Sequence, residues 1–251
     1  MRYFIEIAYK GTNYNGWQVQ PNAITVQQKV NEALSTLLRH EVQTLGSGRT
    51  DTGVHARSQF AHFDSDVEIT TYGYLLRING ILPKDIKVVS IFKATDNEAH
   101  ARFSAVSRSY RYEICLKQNP FLYELSTFLK RKPNVDLMNQ AAKYLLQHKD
   151  FETFSKVSES QEHHFCDITF AQWTILEDNM LRFDITGNRF LRGMVRLIVG
   201  TLLEVGNGKI TPQEFESILI SKNRKLASGA APSQGLYLQK VIYPEGMLVE
   251  V

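Results

Sequence analysis

Two cysteines, Cys115 and Cys166, are all that the 251 residues contain, far too few for the disulfide framework of a secreted domain. No apolar run approaches the roughly 20 residues that a membrane-crossing helix needs. The opening MRYFIEIAYKG has neither the continuous apolar stretch nor the cleavage site of a signal peptide, and reads at once as a strand. Short-period repeats and low-complexity tracts are missing too, which excludes solenoids and disordered linkers. So is a strong surplus of one charge. With a formal net charge of +3, composition by itself is weak support for a polyanionic partner. These absences leave a globular protein with reduced thiols, expected in the cytoplasm.

What is present begins with apolar residues. At 43% hydrophobic, the chain can bury a sizeable core, as one large domain or as two halves. Residues 2 to 9 alternate as a strand does, and Thr25 can cap a helix in which Val26, Val30, Leu34, Leu37 and Leu38 follow helical spacing. A short strand through VQTLGS and another through SQFAHFDS flank a glycine-rich loop. TYGYLLRING reads as a helix, IKVVSIFKA as a strand, VSRSYRYEICLK as a longer strand and VDLMNQAAKYLLQ as a helix. ITFAQWTIL and MLRFDITG form a predicted hairpin joined by EDN. Helices over FLRGMVRLIVGTLLEV and TPQEFESILI follow, and GLYLQKVIY closes as a strand. This order predicts an α+β fold with mainly antiparallel sheet. Each half holds several strands and two helices. A boundary near residues 100 to 107 gives halves over 1–104 and 105–251.

The densest concentration of special residues is LGSGRTDTGVHAR at 45–57. Gly46, Gly48 and Gly53 rule out a regular helix or a central strand there, and charged side chains gathered on a loop are where chemistry tends to sit. Asp51-Thr52-Gly53 suggests an aspartic protease, but that chemistry needs two carboxylates sharing one proton. The chain has no second copy of the triplet, is too long for a half-length subunit that dimerises, and places Arg49 where it opposes the shared proton. A phosphate cradle fits no better, since the loop has neither the G-x-x-x-x-G-K-[ST] nor the G-x-G-x-x-G spacing. A purely structural reading has Asp51 capping a turn, with Arg49 as its ion-pair partner.

The whole run GRTDTGVHA resembles the active-site signature of the tRNA pseudouridine synthase family usually called TruA. The resemblance extends along nearly the whole chain. GTNYNGWQVQP followed by VQQKVNEAL, then GVHARSQFAHFDS, NGILPKDIKV, HARFSAVSRSYRYEI, KDFETFSK, NRFLRGMVRLIVGTL and APSQGLYLQKVIYP match family landmarks in order. The least family-like stretches are roughly residues 120 to 135 and 156 to 168.

The resemblance implies two similar halves, with helices packed on one side of each sheet and an active-site cleft between them. It implies isomerisation of uridine to pseudouridine at positions 38, 39 and 40, in the anticodon stem-loop of tRNA, by a homodimer with RNA contacting both subunits. No cofactor, no metal and no membrane is implied. The family's catalytic aspartate falls on Asp51, and a carboxylate can act as nucleophile or general base without external activation. A base inside a stem must be flipped out before its glycosidic bond can be reached. Arg49 matches the residue that contacts backbone or fills the vacated space. Tyr110 matches the substrate-contacting tyrosine. Alternation along SRSYRYEI puts Arg108, Tyr110 and Tyr112 on one face and Ser107, Ser109 and Arg111 on the other. The helix FLRGMVRLIVGTLLEV sets Phe190, Met194, Leu197, Ile198, Thr201 and Leu202 along one face. Arg196 interrupts that apolar run, so its guanidinium needs a carboxylate partner, and the family pattern makes Asp51 that partner. Leu236 is expected to pack beside the target base.

Three other features have plainer readings. His163 and His164 in HHFCD are adjacent and have no C-x-x-C pair to support a zinc site. Basic clusters occur at Arg102–Arg111, Lys130–Lys132, Arg189–Arg196 and Lys222–Lys225. They fit either solvated surface or an RNA footprint. A non-catalytic RNA-binding module is the alternative function, although a passive binder has no use for an aspartate beside phosphates. A methyltransferase would need a nucleotide-cofactor loop, which is not visible.

Overall fold

A computed structural model describes residues 1–69, 72–156 and 163–251. Thr71, at the start of the predicted TYGYLLRING helix, lies outside these residues, as do residues 157–162 in one of the least family-like stretches. In chain order the elements are β1 (Arg2–Tyr9), α1 (Val26–Leu38), β2 (Leu45–Gly46), β3 (His55–Asp64), α2 (Tyr72–Ile81) and β4 (Ile86–Ala94). There follow β5 (Ser107–Cys115), β6 (Thr127–Phe128), α3 (Val135–Ala142), β7 (Ile168–Leu176) and β8 (Met180–Gly187). Last come α4 (Met194–Gly206), α5 (Pro212–Ile220), β9 (Leu236–Ile242) and β10 (Leu248–Glu250). The fold is α+β and mostly antiparallel. The chain divides into two compact units, Met1–Ser107 with Tyr237–Val251, and Arg108–Leu236.

In the first unit β1 lies between β3 and β4, antiparallel to both. Its Tyr3, Phe4, Ile5 and Ile7 are fully buried. Thr25 caps α1 by accepting from the Gln28 amide, and the predicted apolar stripe buries Val26, Val30, Leu34 and Leu38. The chain end returns to this unit because β9 pairs parallel with β3, through His55↔Tyr237 and Ala56↔Leu238, and β10 pairs antiparallel with β4. On the outer side of β4, Asn79 of α2 acts as a substitute strand. Its amide donates to the Val88 carbonyl and accepts from the Val88 N–H, both at 2.8 Å.

In the second unit β8 lies between β5 and β7, antiparallel to both, and β6 pairs parallel with β5. The β7–β8 hairpin turns on Asp178 and Asn179, whose φ angles of 57° and 59° match the primed turn that strand twist favours. Tyr112, Ile114, Trp173, Leu181, Phe183 and Ile185 are buried with Met138, Leu197, Ile198, Leu202 and Phe215. Asn139 of α3 repeats the edge device on β7, donating to the Trp173 carbonyl at 3.0 Å and accepting from its N–H at 2.8 Å.

Two predicted helices are shorter than their apolar pattern. α4 starts at Met194, not Phe190, because Gly193 sits in the left-handed region at φ 72° and breaks the helix before it. Phe190 therefore leaves the helical face it was expected to share. VDLMNQAAKYLLQ is α-helical only to Ala142 and then tightens into a 3₁₀ turn over Lys143–Leu146.

Candidate active site

The glycine loop of the first unit connects β2 to β3 and is pinned from behind along its length. The Ser47 amide donates to the Phe60 carbonyl at 2.7 Å. The Gln59 side chain accepts from the Ser47 hydroxyl at 3.2 Å and donates to the Gly48 carbonyl at 2.9 Å. Tyr9 and Thr50 share a buried hydroxyl–hydroxyl hydrogen bond of 2.8 Å. The Thr50 carbonyl accepts from the Trp17 amide at 3.2 Å, and Gly53 donates to the Tyr14 carbonyl at 3.3 Å. Gly16 permits this approach, since a Cβ there would run into the Thr50 carbonyl oxygen. Val54 donates to the Asp51 carbonyl at 3.1 Å, and the turn closes on Gly53 at φ 76°.

These anchors hold the backbone and the inward-facing Thr50. Thr50 is buried, Asp51 half-buried and Arg49 exposed. The sole acidic side chain of the loop is thus carried on a fixed main chain. Behind it, His55 Nδ1 accepts from the Gly11 amide at 2.9 Å, so that nitrogen carries no proton. Its ring lies 4.7 Å from that of Tyr237, over which Arg57 also sits. His55 packs behind the loop between Gly11 and Tyr237.

The second unit carries Tyr110, Arg196 and Leu236. Tyr110 is half-buried on β5 opposite Ile185 and meets Phe190 edge-on, with ring centroids 5.0 Å apart. Tyr112, two residues on, is buried and bonded. Its hydroxyl lies 2.6 Å from the Thr127 hydroxyl and donates to the Pro232 carbonyl at 2.9 Å. Burial pushes its phenol well above the usual range. Of the two tyrosines sharing this face, only Tyr110 keeps an accessible ring.

Arg196, half-buried in the first turn of α4, is tied to one residue in both directions. Its Nε donates to the Ala231 carbonyl at 2.7 Å, and its own carbonyl accepts from the Ala231 amide at 2.9 Å. The segment after α5 stays against α4, because Ser228 donates to the Thr201 hydroxyl at 3.1 Å and a Cβ on Gly200 would strike the Gly229 carbonyl. That segment runs on through Pro232, which accepts from Tyr112, to Leu236. The second unit therefore brings the neighbourhoods of Arg196, β5 and Leu236 together, whereas Arg49 and Asp51 belong to the first.

Two contributors were not among the predicted site residues. Phe190 borders Tyr110, and Ala231 orients Arg196. Gly193 was the available signal that Phe190 precedes the helix. No local pattern announces Ala231. Other chemistry has less support. Burial pushes the Cys166 thiol up to about 12, which makes it a poor nucleophile at neutral pH. Among the described residues, Asp150, Glu152 and His164 form one group with metal-ligating atoms within 4.8 Å of one another. Asp150 in that group already pairs with Lys222 at 2.8 Å. No helix among the described residues is long and apolar enough to cross a membrane.

Comparison with known proteins converges on one family. The sequence model of the family described as tRNA pseudouridine synthase matches residues 141–244. The chain is 44% identical over 243 residues to the tRNA pseudouridine synthase A of Azobacteroides pseudotrichonymphae, covering 97% of each chain. Against that of Parabacteroides distasonis it is 45% identical over 245 residues, covering 97% of this chain and 96% of the relative. Against that of Bacillus subtilis it is 39% identical over 247 residues, covering 97% and 99%.

Proposed function

The chain belongs to the tRNA pseudouridine synthase A family, and on that premise we propose that it isomerises uridine to pseudouridine at positions 38 to 40 of the tRNA anticodon stem-loop. The observation that carries this reading is Asp51, an acidic side chain presented half-buried by a loop whose main chain is fixed at Ser47, Gly48, Thr50 and Gly53. The reaction breaks the N–C glycosidic bond and forms a C–C bond between the same base and sugar. Atoms balance without a co-substrate: the C5 hydrogen of the base leaves as a proton, and the N1 released from the sugar takes one up from water.

Each remaining residue takes one task. Asp51 serves as nucleophile or general base. Arg49, exposed beside it, contacts the RNA backbone or fills the space that the flipped base leaves. Flipping costs a few kcal/mol, and stacking of the uracil on Tyr110 returns about 1–3 kcal/mol of it. Leu236 packs beside the base. Arg196 neutralises the Asp51 carboxylate, its guanidinium aimed by the Ala231 carbonyl. The working form is a cytoplasmic homodimer that needs no metal.

The test is conversion of an unmodified tRNA transcript by purified protein in chelator, mapped by carbodiimide adducts. Adducts at positions 38 to 40 support the reading. Tight tRNA binding with no adduct anywhere would leave only a passive RNA-binding module. Sedimentation at micromolar concentration tests the dimer.

A further inference from the structure

The two most exposed aromatic rings of the described chain sit two residues apart on one loop. Phe121 is 88% exposed and Tyr123 80%. They lie between β5 and β6, in a stretch that least resembles the family pattern, and the catalytic reading leaves them without a task. The loop is nevertheless braced by its own hydrogen bonds. The Asn119 side chain accepts from the Phe121 amide at 3.0 Å. The Leu122 carbonyl gathers the amides of Leu125 and Ser126, both at 3.0 Å, and the Ser126 hydroxyl at 3.1 Å. Two large rings held outward by a fixed loop are an exposed apolar surface that calls for an occupant.

Charge identifies the occupant. The loop is bounded by Lys117 on one side and by Lys130, Arg131 and Lys132 on the other, all exposed, with Glu124 the only carboxylate between them. The Leu129 amide donates to the Cys115 carbonyl at 2.9 Å, continuing the β5–β6 pairing and bringing the two basic ends alongside each other. In a twofold contact between copies of this chain the patch would meet itself and set these cations against their equals. A polyanion with flat bases meets both features at once. Phosphates answer the cations, and unpaired bases stack on the rings.

We propose that Phe121, Tyr123, Lys117 and Lys130–Lys132 form a second RNA-binding platform, which takes unpaired nucleotides of the substrate tRNA. This rests on the tRNA reading above. The chain leaves β5 for the platform at Cys115, five residues and about 17 Å beyond Tyr110 along the strand at ~3.3 Å per residue. A tRNA with its uridine on Tyr110 therefore reaches the platform with another part of the same molecule.

The experiment measures the Kd of the full-length protein for an unmodified tRNA transcript from low to moderate salt. Phe121→Ala/Tyr123→Ala is expected to raise Kd about tenfold or more at every salt concentration, because base stacking on an aromatic ring is salt-independent relative to phosphate contact. Phe121→Trp/Tyr123→Trp keeps the flat surface and is expected to stay within about twofold of wild type. Replacing Lys130, Arg131 and Lys132 by Ser is expected instead to flatten the log Kd against log salt line, by about 0.7 per lost contact to single-stranded RNA. Both aromatic residues are on the surface, so an unchanged thermal melt accompanies the loss. An unchanged Kd in the Ala variant overturns the platform. So does a shift in sedimentation without a change in Kd, which would assign the rings to a contact between copies. Pseudouridine formation by wild type with no change in Kd for the variant defeats the platform alone. A platform-dependent Kd with no pseudouridine formed defeats the catalytic reading alone.

Discussion

The two units close their sheets by the same device and arm them differently. Asn79 on α2 and Asn139 on α3 each turn a side-chain amide onto one residue of an outer strand, Val88 or Trp173, and satisfy its N–H and carbonyl together. An outer strand left open at that point would offer a pairing site to another chain. Beyond this likeness, the first unit presents Asp51 by immobilising main chain. Hydrogen bonds from Tyr9, Trp17 and Gln59 hold the loop, and Gly16 lets it come close. The second unit presents Tyr110 and Arg196 from regular elements and aims the side chains directly, by the edge of Phe190 and the carbonyl of Ala231. On the proposed reading Asp51 is a nucleophile or base, which must be placed to a fraction of an ångström, and a loop achieves that only when its backbone is fixed. On the same reading Tyr110 stacks on the base and Arg196 supplies charge, tasks that tolerate more motion, so a strand and a helix turn suffice.

This difference is open to attack through Arg196. Arg196→Met keeps the stem of the side chain and removes the charge. The single-turnover rate at saturating enzyme is expected to fall by about a hundredfold, toward the upper end of the 1.5–3 kcal/mol typical of a charged hydrogen bond. The Kd for tRNA is expected to move less than about twofold. Weakened binding with an intact bound-state rate would make Arg196 a phosphate contact.

Acid should separate the two units next. His62 of the first unit is buried and accepts from the Ala101 amide at 3.1 Å. Burial, with the charges of His100 and Arg2, pushes its imidazole down to about 4. Unfolded, it titrates near 6.5. Above that pH both states are neutral and the full stability is present. As pH falls from about 6.5 to 4 the unfolded chain takes the proton first, and about 2–3 kcal/mol is lost from the first unit. In the second unit, His148, His163 and His164 are not buried. Hydrogen exchange at pH 7 and pH 4.5 is expected to show the first unit opening preferentially, an effect that His62→Gln flattens. Equal loosening of both units would remove the contrast.

The smallest expected effect tests the likeness. Asn79→Ala and Asn139→Ala each abolish two side-chain hydrogen bonds to a strand, at a cost of roughly 2 kcal/mol each. Chemical denaturation should give similar losses for the two variants, with more concentration-dependent association in both. A loss at only one site would show that the equivalence is geometric and not energetic.

Much of this plan was legible in the residues because it is written locally. The Thr25 cap, the apolar stripe of α1, the EDN turn and the alternation of β1 and β5 each depend on neighbours a few positions away. The motif that resembles the family stands in one continuous run around Asp51. The rest depends on remote partners. Gln59 holding Gly48, Tyr9 holding Thr50 and Ala231 holding Arg196 have no sequence period to reveal them. The asparagine edge closures are equally silent, since an Asn inside a helix ordinarily reads as a surface residue. The late start of α4 turned on the conformation of Gly193, while the apolar pattern continued across it. The Phe121–Tyr123 loop stayed obscure because exposure is not written in residue type.

If the carboxylate of Asp51 performs the isomerisation, release of the uridine C5 hydrogen depends on it. Transcribed tRNA carrying tritium at C5 of its uridines is mixed with excess enzyme, and tritium in water is counted over a single turnover. Wild type should release tritium in proportion to the pseudouridine formed. Asp51→Asn, isosteric but uncharged, should bind the same tRNA with near-normal affinity and release it at least about a thousandfold more slowly. Release by Asp51→Asn at a near-wild-type rate would exclude Asp51 as nucleophile or base.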